Sequence, residues 1–335
     1  MTDTSRPKRP LSGWLILDKP RGLGSTQAVG AVKRNLREGS YAKTKVGHGG
    51  TLDPLAEGVL PIALGEATKL AGRMLDASKI YEFTIQFGEE TSTLDTEGEV
   101  TQTSSHRPPM AAIPAVLEYF TGSIEQVPPA YSALMIDGKR AYDRARAGEQ
   151  VEMKTREVTI HSLTFPGALV DEEAQSAFAT TKGRPDPYDP AAPLELADSV
   201  TLVAHVSKGT YIRSLARDIA RALGTVGHVT YLRRTRAGPF TESQAISLDS
   251  LNEIGKGAGL QDRILPLEAG LDDIPALSLN PESAQAARQG RIISGLPQPD
   301  GLYCATLGGV PVALVELDGG SAKVVRGFNL PDVAE

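Results

Sequence analysis

The chain has 335 residues, of which 40% are hydrophobic and 23% charged, the composition of a globular protein with one large domain and room for a small one. No apolar run approaches the ~20 residues of a membrane-spanning helix, and the basic N-terminus lacks the apolar stretch of a secretion signal. The single cysteine, Cys304, can form neither an internal disulfide nor a cysteine-based metal cluster. We therefore expect a cytoplasmic protein that does not associate with membranes.

The net charge of −6 is unevenly distributed along the chain. Residues 1–50 contain ten lysines and arginines against three acidic residues, and residues 205–240 contain seven against one. Residues 167–204 and 241–335 are acidic. Two basic segments can form a phosphate-binding face if the fold brings them together, but solvated surface charge explains them equally well.

Apolar spacing predicts the order of the elements along the first half of the chain. In order, the pattern predicts a strand at 14–17, a helix capped by Ser25 or Thr26, a strand at 59–64, a helix at 66–75, a strand at 81–87, a helix at 111–121 ended by Gly122, and a hairpin at Asp137-Gly138.

The second half continues with the same mixture of elements. The pattern predicts a basic helix after the hairpin, a strand at 200–206, an amphipathic helix over 212–223 stopped by Gly224, and short strands with glycine turns from about residue 275. Residues 167–199 lack periodicity and are rich in Asp, Glu, Pro and Ala, which indicates a flexible acidic insertion. Interleaved strands, helices and hairpins predict a mixed-sheet α/β or α+β core.

Residues 47–65, GHGGTLDPLAEGVLPIALG, concentrate five glycines around His48 and Asp53. Pro54 disfavours helical geometry for Asp53, and the glycines at 47, 49 and 50 allow positive φ and close approach of a ligand to the main chain. Such a loop can hold a planar base or a phosphate, although it has neither the Walker A order nor the dinucleotide-binding spacing. An Asp-Pro turn with a capping histidine is the alternative.

Three further stretches contain candidate functional residues. Arg213 lies where a strand gives way to a helix, and there it can either pair with a buried carboxylate or remain an ordinary surface arginine. Tyr81 can pack in the core or form a platform for a nucleobase. YLRRTRAGPF at 231–240 places Arg233, Arg234 and Arg236 near an aromatic ring, which suits either an RNA backbone or a charged edge strand.

These stretches, taken together and in order, resemble the family of bacterial tRNA pseudouridine-55 synthases. The resemblance is carried by GWLILDKPRGLGS, GHGGTLDPLAEGVLPIALGEATKL, KIYEFTIQFGEETSTLDTEG, PPAYSALMIDGKRAYDRARAGE, SKGTYIRSLARDIARALG and HVTYLRRTRAGPF. It covers roughly residues 12–165 and 200–250. A weaker likeness over ARQGRIISG and VALVELDGGSAKVVRGF is to the small RNA-binding domain that ends many family members.

The resemblance implies an isomerase that turns the uridine at position 55, in the T-loop of tRNA, into pseudouridine without a metal or a cofactor. It implies an α+β fold in which helices flank a mixed, largely antiparallel sheet, followed by a small β-rich, PUA-like RNA-binding domain. The implied partner is the T-arm stem-loop of tRNA. We expect a monomer with no obligate protein partner.

The family's motifs also assign roles to residues of this chain. They place the catalytic groups at Asp53 and Arg213, and the substrate-binding groups at Lys19, His48, Tyr81, Tyr211 and Leu232. Asp53 would act either as nucleophile or by assisting removal of a sugar proton, and both routes stay open. Arg213 would favour the charged carboxylate by ion pairing, and Tyr81 would stack on the extruded uracil.

The sequence departs from the family pattern in two places. Position 49 is glycine where members more often have Thr or Ala, which is expected to loosen the loop. The acidic insertion, absent from shorter members, is expected to be a peripheral lobe.

The expected domain division is a flexible basic N-terminus at 1–11, a catalytic domain at 12–250, a linker at 251–274 and a small β-rich domain at 275–335.

Other functions remain as alternatives. A guide-dependent rRNA pseudouridine synthase would need protein partners, and the compact C-terminal end without long basic tails argues against it. A non-catalytic module that binds or folds tRNA could use the same residues. A glycosidase or a zinc deaminase fits poorly, because no second carboxylate shares the loop at a suitable spacing and the deaminase signature is absent.

Overall fold

The structure, a computed structural model, describes residues 11–330 apart from 133, 137, 150, 168–193 and 256–257. The expected flexible N-terminus and most of the expected acidic insertion therefore lie outside the described residues, as does Asp137 of the predicted hairpin turn. Across the described part of the chain, no helix combines the length and the apolar character that crossing a membrane requires.

The strands are numbered in chain order. They are β1 (Gly13–Lys19), β2 (Val46–His48), β3 (Glu57–Leu64), β4 (Lys79–Phe87), β5 (Glu89–Thr91), β6 (Val100–Thr103), β7 (Gly122–Gln126), β8 (Met135–Ile136), β9 (Lys139–Arg140), β10 (Arg156–Thr164), β11 (Ser199–Val206), β12 (Gly227–Ala237), β13 (Phe240–Thr241), β14 (Ile246–Ser247), β15 (Ala276–Ser278), β16 (Ile293–Ser294), β17 (Gly301–Leu307), β18 (Val310–Asp318) and β19 (Ser321–Gly327).

The helices are numbered in the same way. They are α1 (Ser25–Glu38), α2 (Ala71–Asp76), α3 (Ile113–Tyr119), α4 (Ala141–Arg146), α5 (Ile212–Ala222), α6 (Leu248–Gly255) and α7 (Pro281–Arg288). Short 3-10 turns occupy Gly65–Leu70, Met110–Ala112, Glu242–Gln244, Ala258–Arg263 and Leu267–Gly270. The last two lie in the segment that the sequence suggested as a linker.

The chain divides into two compact units. The first contains the chain up to Pro54, Gly58–Asp76 and everything from Arg236 onward, and the second contains Leu55–Glu57 and Ala77–Thr235. The expected division into a catalytic domain at 12–250 and a terminal domain at 275–335 stays a prediction.

In the first unit, β1 has a neighbouring strand on each of its edges. It pairs with β3 in antiparallel fashion, with Trp14 opposite Ala63, and with β14 in parallel, with Leu17 opposite Ile246. β2 also pairs with β3 in antiparallel fashion, with His48 opposite Ile62. The apolar run of β1 is almost entirely buried, as expected for a strand with neighbours on both edges.

The C-terminal part of the first unit is a five-stranded sheet in the order β15–β17–β18–β19–β16. One face packs into the core around Trp14, which includes Cys304, Leu314 and Phe328. The Trp14 indole N–H donates to the carbonyl of Leu267 at 3.1 Å. Burial, reinforced by the charge of Glu268, raises the pKa of the Cys304 thiol to about 11. The predicted β-rich C-terminal region is thus confirmed.

The 3-10 turn after β3 bonds the segment 327–329, which follows β19 in the same unit. Glu66 forms a 2.7 Å ion pair with Lys69 and accepts the N–H of Asn329 at 2.6 Å, and Lys69 also donates to the carbonyl of Gly327. Burial acts to raise the pKa of Glu66, but these hydrogen bonds and the charge of Lys69 outweigh it and lower the pKa below its ordinary value of 4.5.

In the second unit the strand order is β12–β4–β11–β10–β7. β4 and β11 pair in antiparallel fashion with Tyr81 opposite Ala204, and β10 pairs with β7 with Arg156 opposite Gln126. Alternating burial along β11 and the burial of Leu215, Ala216 and Ile219 in α5 match their sequence patterns. The predicted fold class, a mixed and largely antiparallel sheet with helices, is confirmed.

Three predicted elements differ from the structure. Gly24, not Ser25 or Thr26, is the N-cap of α1, because the Ser25 hydroxyl bonds elsewhere. The helix expected at 66–75 is a 3-10 turn followed by the short α2. The helix expected at 111–121 ends at Tyr119, and Gly122, at φ 101°, opens β7 instead of closing the helix.

Candidate functional site

The seven candidate residues fall in both compact units, and each group is described within its own unit. The first unit contains Lys19, His48 and Asp53, and the second contains Tyr81, Tyr211, Arg213 and Leu232.

The main chain on both sides of Asp53 is anchored. The buried Ser25 hydroxyl donates to the carbonyl of Leu52 at 2.9 Å and accepts the Leu52 N–H at 2.8 Å. The carbonyl of Pro54 accepts the N–H of Gly22 at 2.7 Å. Asp53 itself is partly exposed. A carboxylate on a partly exposed residue with a fixed backbone is suited to act on a bound substrate.

Lys19, at the end of β1, contributes to this anchoring. Its ammonium group is fully buried and donates to the carbonyls of Leu23 at 2.7 Å, Pro20 at 3.0 Å and Pro54 at 3.5 Å. These bonds hold the turn after β1 next to the residue that follows Asp53. Its expected contact with the substrate stays a prediction.

The glycines of the loop serve two different purposes. Gly50 has φ 143°, a conformation that side chains rarely adopt, and its N–H lies 3.4 Å from Nδ1 of His48. Gly49 is needed for space, because a Cβ there would lie 2.6 Å from Cβ of the buried Met74. Glycine at position 49 therefore makes the loop closely packed, in contrast to the looseness expected from the sequence.

Arg213 is nearly completely buried in the first turn of α5, at 5% exposure. Its guanidinium donates to the carbonyls of Thr93 at 2.8 Å and Tyr131 at 3.0 Å. It also lies 3.4 Å from the carboxylate of Asp95, which is 2% exposed. The sequence-based alternative of a surface arginine is therefore wrong.

Asp95 is a functional candidate that the sequence analysis missed. Its Oδ1 accepts bonds from the Thr93 hydroxyl and the Glu97 N–H, and its Oδ2 is the atom that lies near the Arg213 guanidinium. The preceding Leu94 has φ 63°, which is strained for a residue with a branched side chain. Strain next to a buried ion pair is typical of a functional position. In the sequence, Asp95 lies in the polar stretch TSTLDTEG, where no local pattern distinguishes it from other polar residues.

Tyr211 is the N-cap residue of α5, and a second missed residue holds it. Gln126, at the end of β7 and 1% exposed, accepts the Tyr211 N–H at 2.8 Å and donates to the Tyr211 carbonyl at 3.2 Å. The guanidinium of Arg156 lies 5.9 Å from the centre of the Tyr211 ring. Both the main chain and the ring of Tyr211 therefore have partners.

Tyr81 and Leu232 lie on the adjacent strands β4 and β12 of the second unit. Tyr81 is partly exposed and Leu232 is buried at 5% exposure. The guanidinium of Arg234 lies 6.0 Å from the Tyr81 ring centre and is 1% exposed, and Arg233 pairs with Glu57 at 3.3 Å. Arg234 is thus a buried residue beside an aromatic ring and not an open phosphate contact.

The chemistry available to these residues is that of a carboxylate, a fixed cation and aromatic rings. Within the described residues, no group of three or more His, Cys, Asp and Glu side chains could hold a metal ion.

Comparison with known families gives two matches. A family described as TruB family pseudouridylate synthase, N terminal domain, matches residues 37–184. A tRNA pseudouridylate synthase B C-terminal domain matches residues 213–272. The two matched segments include Asp53, Tyr81, Arg213 and Leu232.

Curated relatives match over nearly the whole chain. A tRNA pseudouridine synthase B of Novosphingobium aromaticivorans is 63% identical over 97% of this chain and 100% of the relative. One of Zymomonas mobilis is 53% identical over 98% and 100%. One of Caulobacter vibrioides is 45% identical over 96% and 97%.

Solved structures share the fold at greater distance. A chain of a Cbf5-Nop10-Gar1 complex is 25% identical, with a TM-score of 0.63 over 95% of this chain and 85% of that chain. A chain of an H/ACA RNP bound to a substrate RNA containing 2'-deoxyuridine is 23% identical, with a TM-score of 0.64 over 96% and 86%, and this likeness concerns the fold.

Proposed function

The chain belongs to the TruB family of pseudouridylate synthases and isomerises uridine to pseudouridine in tRNA, and we propose that its target is position 55 of the T-loop with Asp53 as the catalytic carboxylate. In the reaction, the N1–C1′ bond of uridine breaks and a C5–C1′ bond forms. The proton at C5 leaves and N1 gains one, so that substrate and product have the same atoms.

The observation that carries the proposal is the anchoring of the loop around Asp53. Ser25 bonds both main-chain groups of Leu52, and the Pro54 carbonyl accepts bonds from Gly22 and Lys19. A carboxylate on so fixed a backbone can attack the sugar or remove its proton with little loss of conformational freedom. Both routes use the same side chain, and both are compatible with the proposal.

Arg213 supplies a fixed positive charge in this proposal and stabilises the negative charge that the reaction requires. Its bonds to two carbonyls and to Asp95 keep the guanidinium in one orientation. A preoriented charge needs no reorganisation as the reaction proceeds. Arg213 therefore acts as a charged group that is already in place before the substrate arrives.

The remaining candidates bind the nucleotide in this proposal. Tyr81 stacks on the uracil that leaves the RNA stack, with Leu232 and Tyr211 beside it, and His48 holds the displaced nucleotide. Extruding a base costs a few kcal/mol. Lysine and arginine contacts to phosphates offset this cost, so that affinity falls as salt rises. Lys19 contributes by holding the loop of Asp53.

We further propose a monomeric cytoplasmic enzyme that acts without a guide RNA, with the C-terminal β-rich sheet as an RNA contact. The high identity to relatives named tRNA pseudouridine synthase B supports this over a guide-dependent rRNA synthase. A module that only binds or folds tRNA would leave the anchored carboxylate without a purpose.

The test uses an unmodified T-arm stem-loop, incubated with purified protein and then mapped for pseudouridine. We expect modification at position 55 alone, and none when that position is cytidine. Asp53→Asn should lower the rate constant by about 10²- to 10⁴-fold while tRNA still binds. Asp273→Asn, which changes an exposed aspartate of the same unit, is the matched control and should keep the wild-type rate.

Two results would contradict the proposal. Full turnover by Asp53→Asn would remove Asp53 from the catalytic step. Modification at another uridine, with position 55 untouched, would leave the isomerase activity intact but refute the proposed target.

A further inference from the structure

Gln126, the last residue of β7, bonds to the start of α5 through both the oxygen and the nitrogen of its side-chain amide. Oε1 accepts the Tyr211 N–H at 2.8 Å, and Nε2 donates to the Tyr211 carbonyl at 3.2 Å. The side chain is 1% exposed, so these bonds form without competition from water. A side-chain amide that matches both main-chain groups of one residue fixes that residue's position and its orientation.

Tyr211 is a sensitive place to apply such a constraint. It has extended geometry, φ −103° and ψ 111°, and its carbonyl accepts the N–H of Leu215 as the first bond of α5. The orientation of this peptide therefore sets the direction in which the helix starts. Arg213 is two residues further along, in the first turn.

The segment that follows Gln126 is bonded to the same helical turn. The Ser214 hydroxyl donates to the carbonyl of Val127 at 2.8 Å, and Arg213 donates to that of Tyr131 at 3.0 Å. On the other side, Arg156 is opposite Gln126 in the β7–β10 pairing, and its guanidinium lies near the Tyr211 ring. Gln126 and the chain that follows it thus make several contacts that end at residues 211–214.

We propose that Gln126 is a positioning residue for the reaction, which fixes the main chain at Tyr211 and thereby the Tyr211 ring and the Arg213 guanidinium. The inference rests on the proposed function, because it requires those two side chains to act on the substrate. Removing the amide lets the first turn of α5 shift, and a displacement of about 1 Å can cost roughly 100-fold in rate. Gln126 itself touches neither the substrate nor the reacting atoms.

A merely structural role for Gln126 would give a different result, and Thr225 provides the comparison. Its hydroxyl donates to the carbonyl of His106 at 2.9 Å, it is 5% exposed, and it follows the opposite end of α5 in the same unit. Thr225→Val also removes a buried bond from a side chain to the main chain. It does so at the end of the helix that is remote from Tyr211.

The first experiment compares Gln126→Met with Thr225→Val on the T-arm stem-loop. We expect Gln126→Met to lower the single-turnover rate constant by roughly 10- to 100-fold with an unchanged Kd for the RNA. Thr225→Val should lower the unfolding midpoint without changing the rate constant. If Gln126→Met lowers only the midpoint and turns over at the wild-type rate, the positioning role is refuted.

The second experiment uses Gln126→Glu, which also remains informative if the methionine variant fails to fold. A neutral carboxylic acid has one acceptor and one donor, as the amide does, whereas a carboxylate cannot donate to the Tyr211 carbonyl. The rate of this variant relative to wild type should therefore rise as the pH is lowered. A ratio that does not change with pH would overturn the inference.

The two proposals fail in different ways. If Asp53→Asn and Arg213→Lys modify the stem-loop as fast as wild type, the proposed function fails. If those variants lose activity while the Gln126 variants keep the wild-type rate at every pH, only the positioning role of Gln126 fails.

Discussion

The loop of Asp53 and the first turn of α5 place a charged side chain in contrasting ways. In the loop, main-chain bonds of the neighbouring residues Leu52 and Pro54 anchor the backbone, and Asp53 is partly exposed. In α5, the bonds are made by the guanidinium of Arg213 itself, which is buried against two carbonyls and Asp95.

The contrast separates two tasks that charged groups perform in an active site. A group that reacts must reach the substrate, so its backbone is fixed and its side chain stays accessible. A group that only supplies charge can be buried, provided that every donor has a partner. The cost of a substitution should therefore differ: mainly activity at Asp53, and both stability and activity at Arg213.

The largest expected effect is at Arg213. Arg213→Met keeps a long apolar side chain but leaves Asp95 as an uncompensated buried charge, which should reduce the free energy of unfolding by about 3–5 kcal/mol. Urea denaturation measures this directly. Asp53→Asn is the matched comparison and should reduce the free energy of unfolding by less than Arg213→Met does, because Asp53 is partly exposed whereas Arg213 is buried.

A double variant tests the same difference between the two regions. Asp95→Asn combined with Arg213→Met removes both charges and should recover part of the lost stability without restoring activity. Equal losses of stability for Asp53→Asn and Arg213→Met would show that the proposed difference between the two regions is wrong.

The next effect in size is at Ser25, which anchors the loop. Ser25→Ala leaves the N–H and the carbonyl of Leu52 buried without the hydroxyl, and should cost about 1–3 kcal/mol of stability. Turnover of the stem-loop should fall while RNA affinity is kept, because the backbone at Asp53 gains freedom. Ser243→Ala, at an exposed position of the same unit, is the control and should be neutral in both assays.

The smallest effect concerns the turn that follows β3 in the unit that contains Asp53. Because the pKa of Glu66 is lowered in the folded state, its contribution is fully present above 4.5 and is lost as the pH falls through the folded value. The ion pair is partly exposed, so we expect at most about 1 kcal/mol.

Urea unfolding of wild type and Glu66→Gln at pH 7 and at pH values below 4.5 measures this contribution. The difference in stability between the two proteins should shrink as the pH is lowered. A difference that stays constant with pH would show that the carboxylate of Glu66 does not titrate in the way its contacts require.

Local patterns predicted much of the fold, because strand and helix periodicities reflect one buried face. β1, β4, β11 and α5 follow directly from apolar spacing. Capping was predicted less well: Ser25 stands at the start of a helix, where serine usually caps, but its hydroxyl bonds Leu52, 27 residues further along the chain. Sequence spacing carries no information about such a tertiary contact.

The supporting residues of the site could not be predicted for the same reason. Asp95 lies in a turn-like stretch and Gln126 at the end of a short strand, so nothing local distinguishes them from ordinary polar residues. Gly49 was expected to loosen the loop, but the side chain of Met74 occupies the adjacent space, which no local pattern in the sequence indicates. The candidate residues themselves followed from the resemblance to a family, and their roles stay proposals.

The position of the C-terminal sheet has a consequence for biosynthesis. Leu314 and Phe328 belong to the same core as Trp14, and Asn329 bonds Glu66. Trp14 emerges early from the ribosome, but part of its apolar surroundings is not yet translated at that time. β1 therefore completes its packing only after synthesis has passed Phe328 and Asn329, and a chain terminated before those residues should expose apolar surface and be a substrate for cellular proteases.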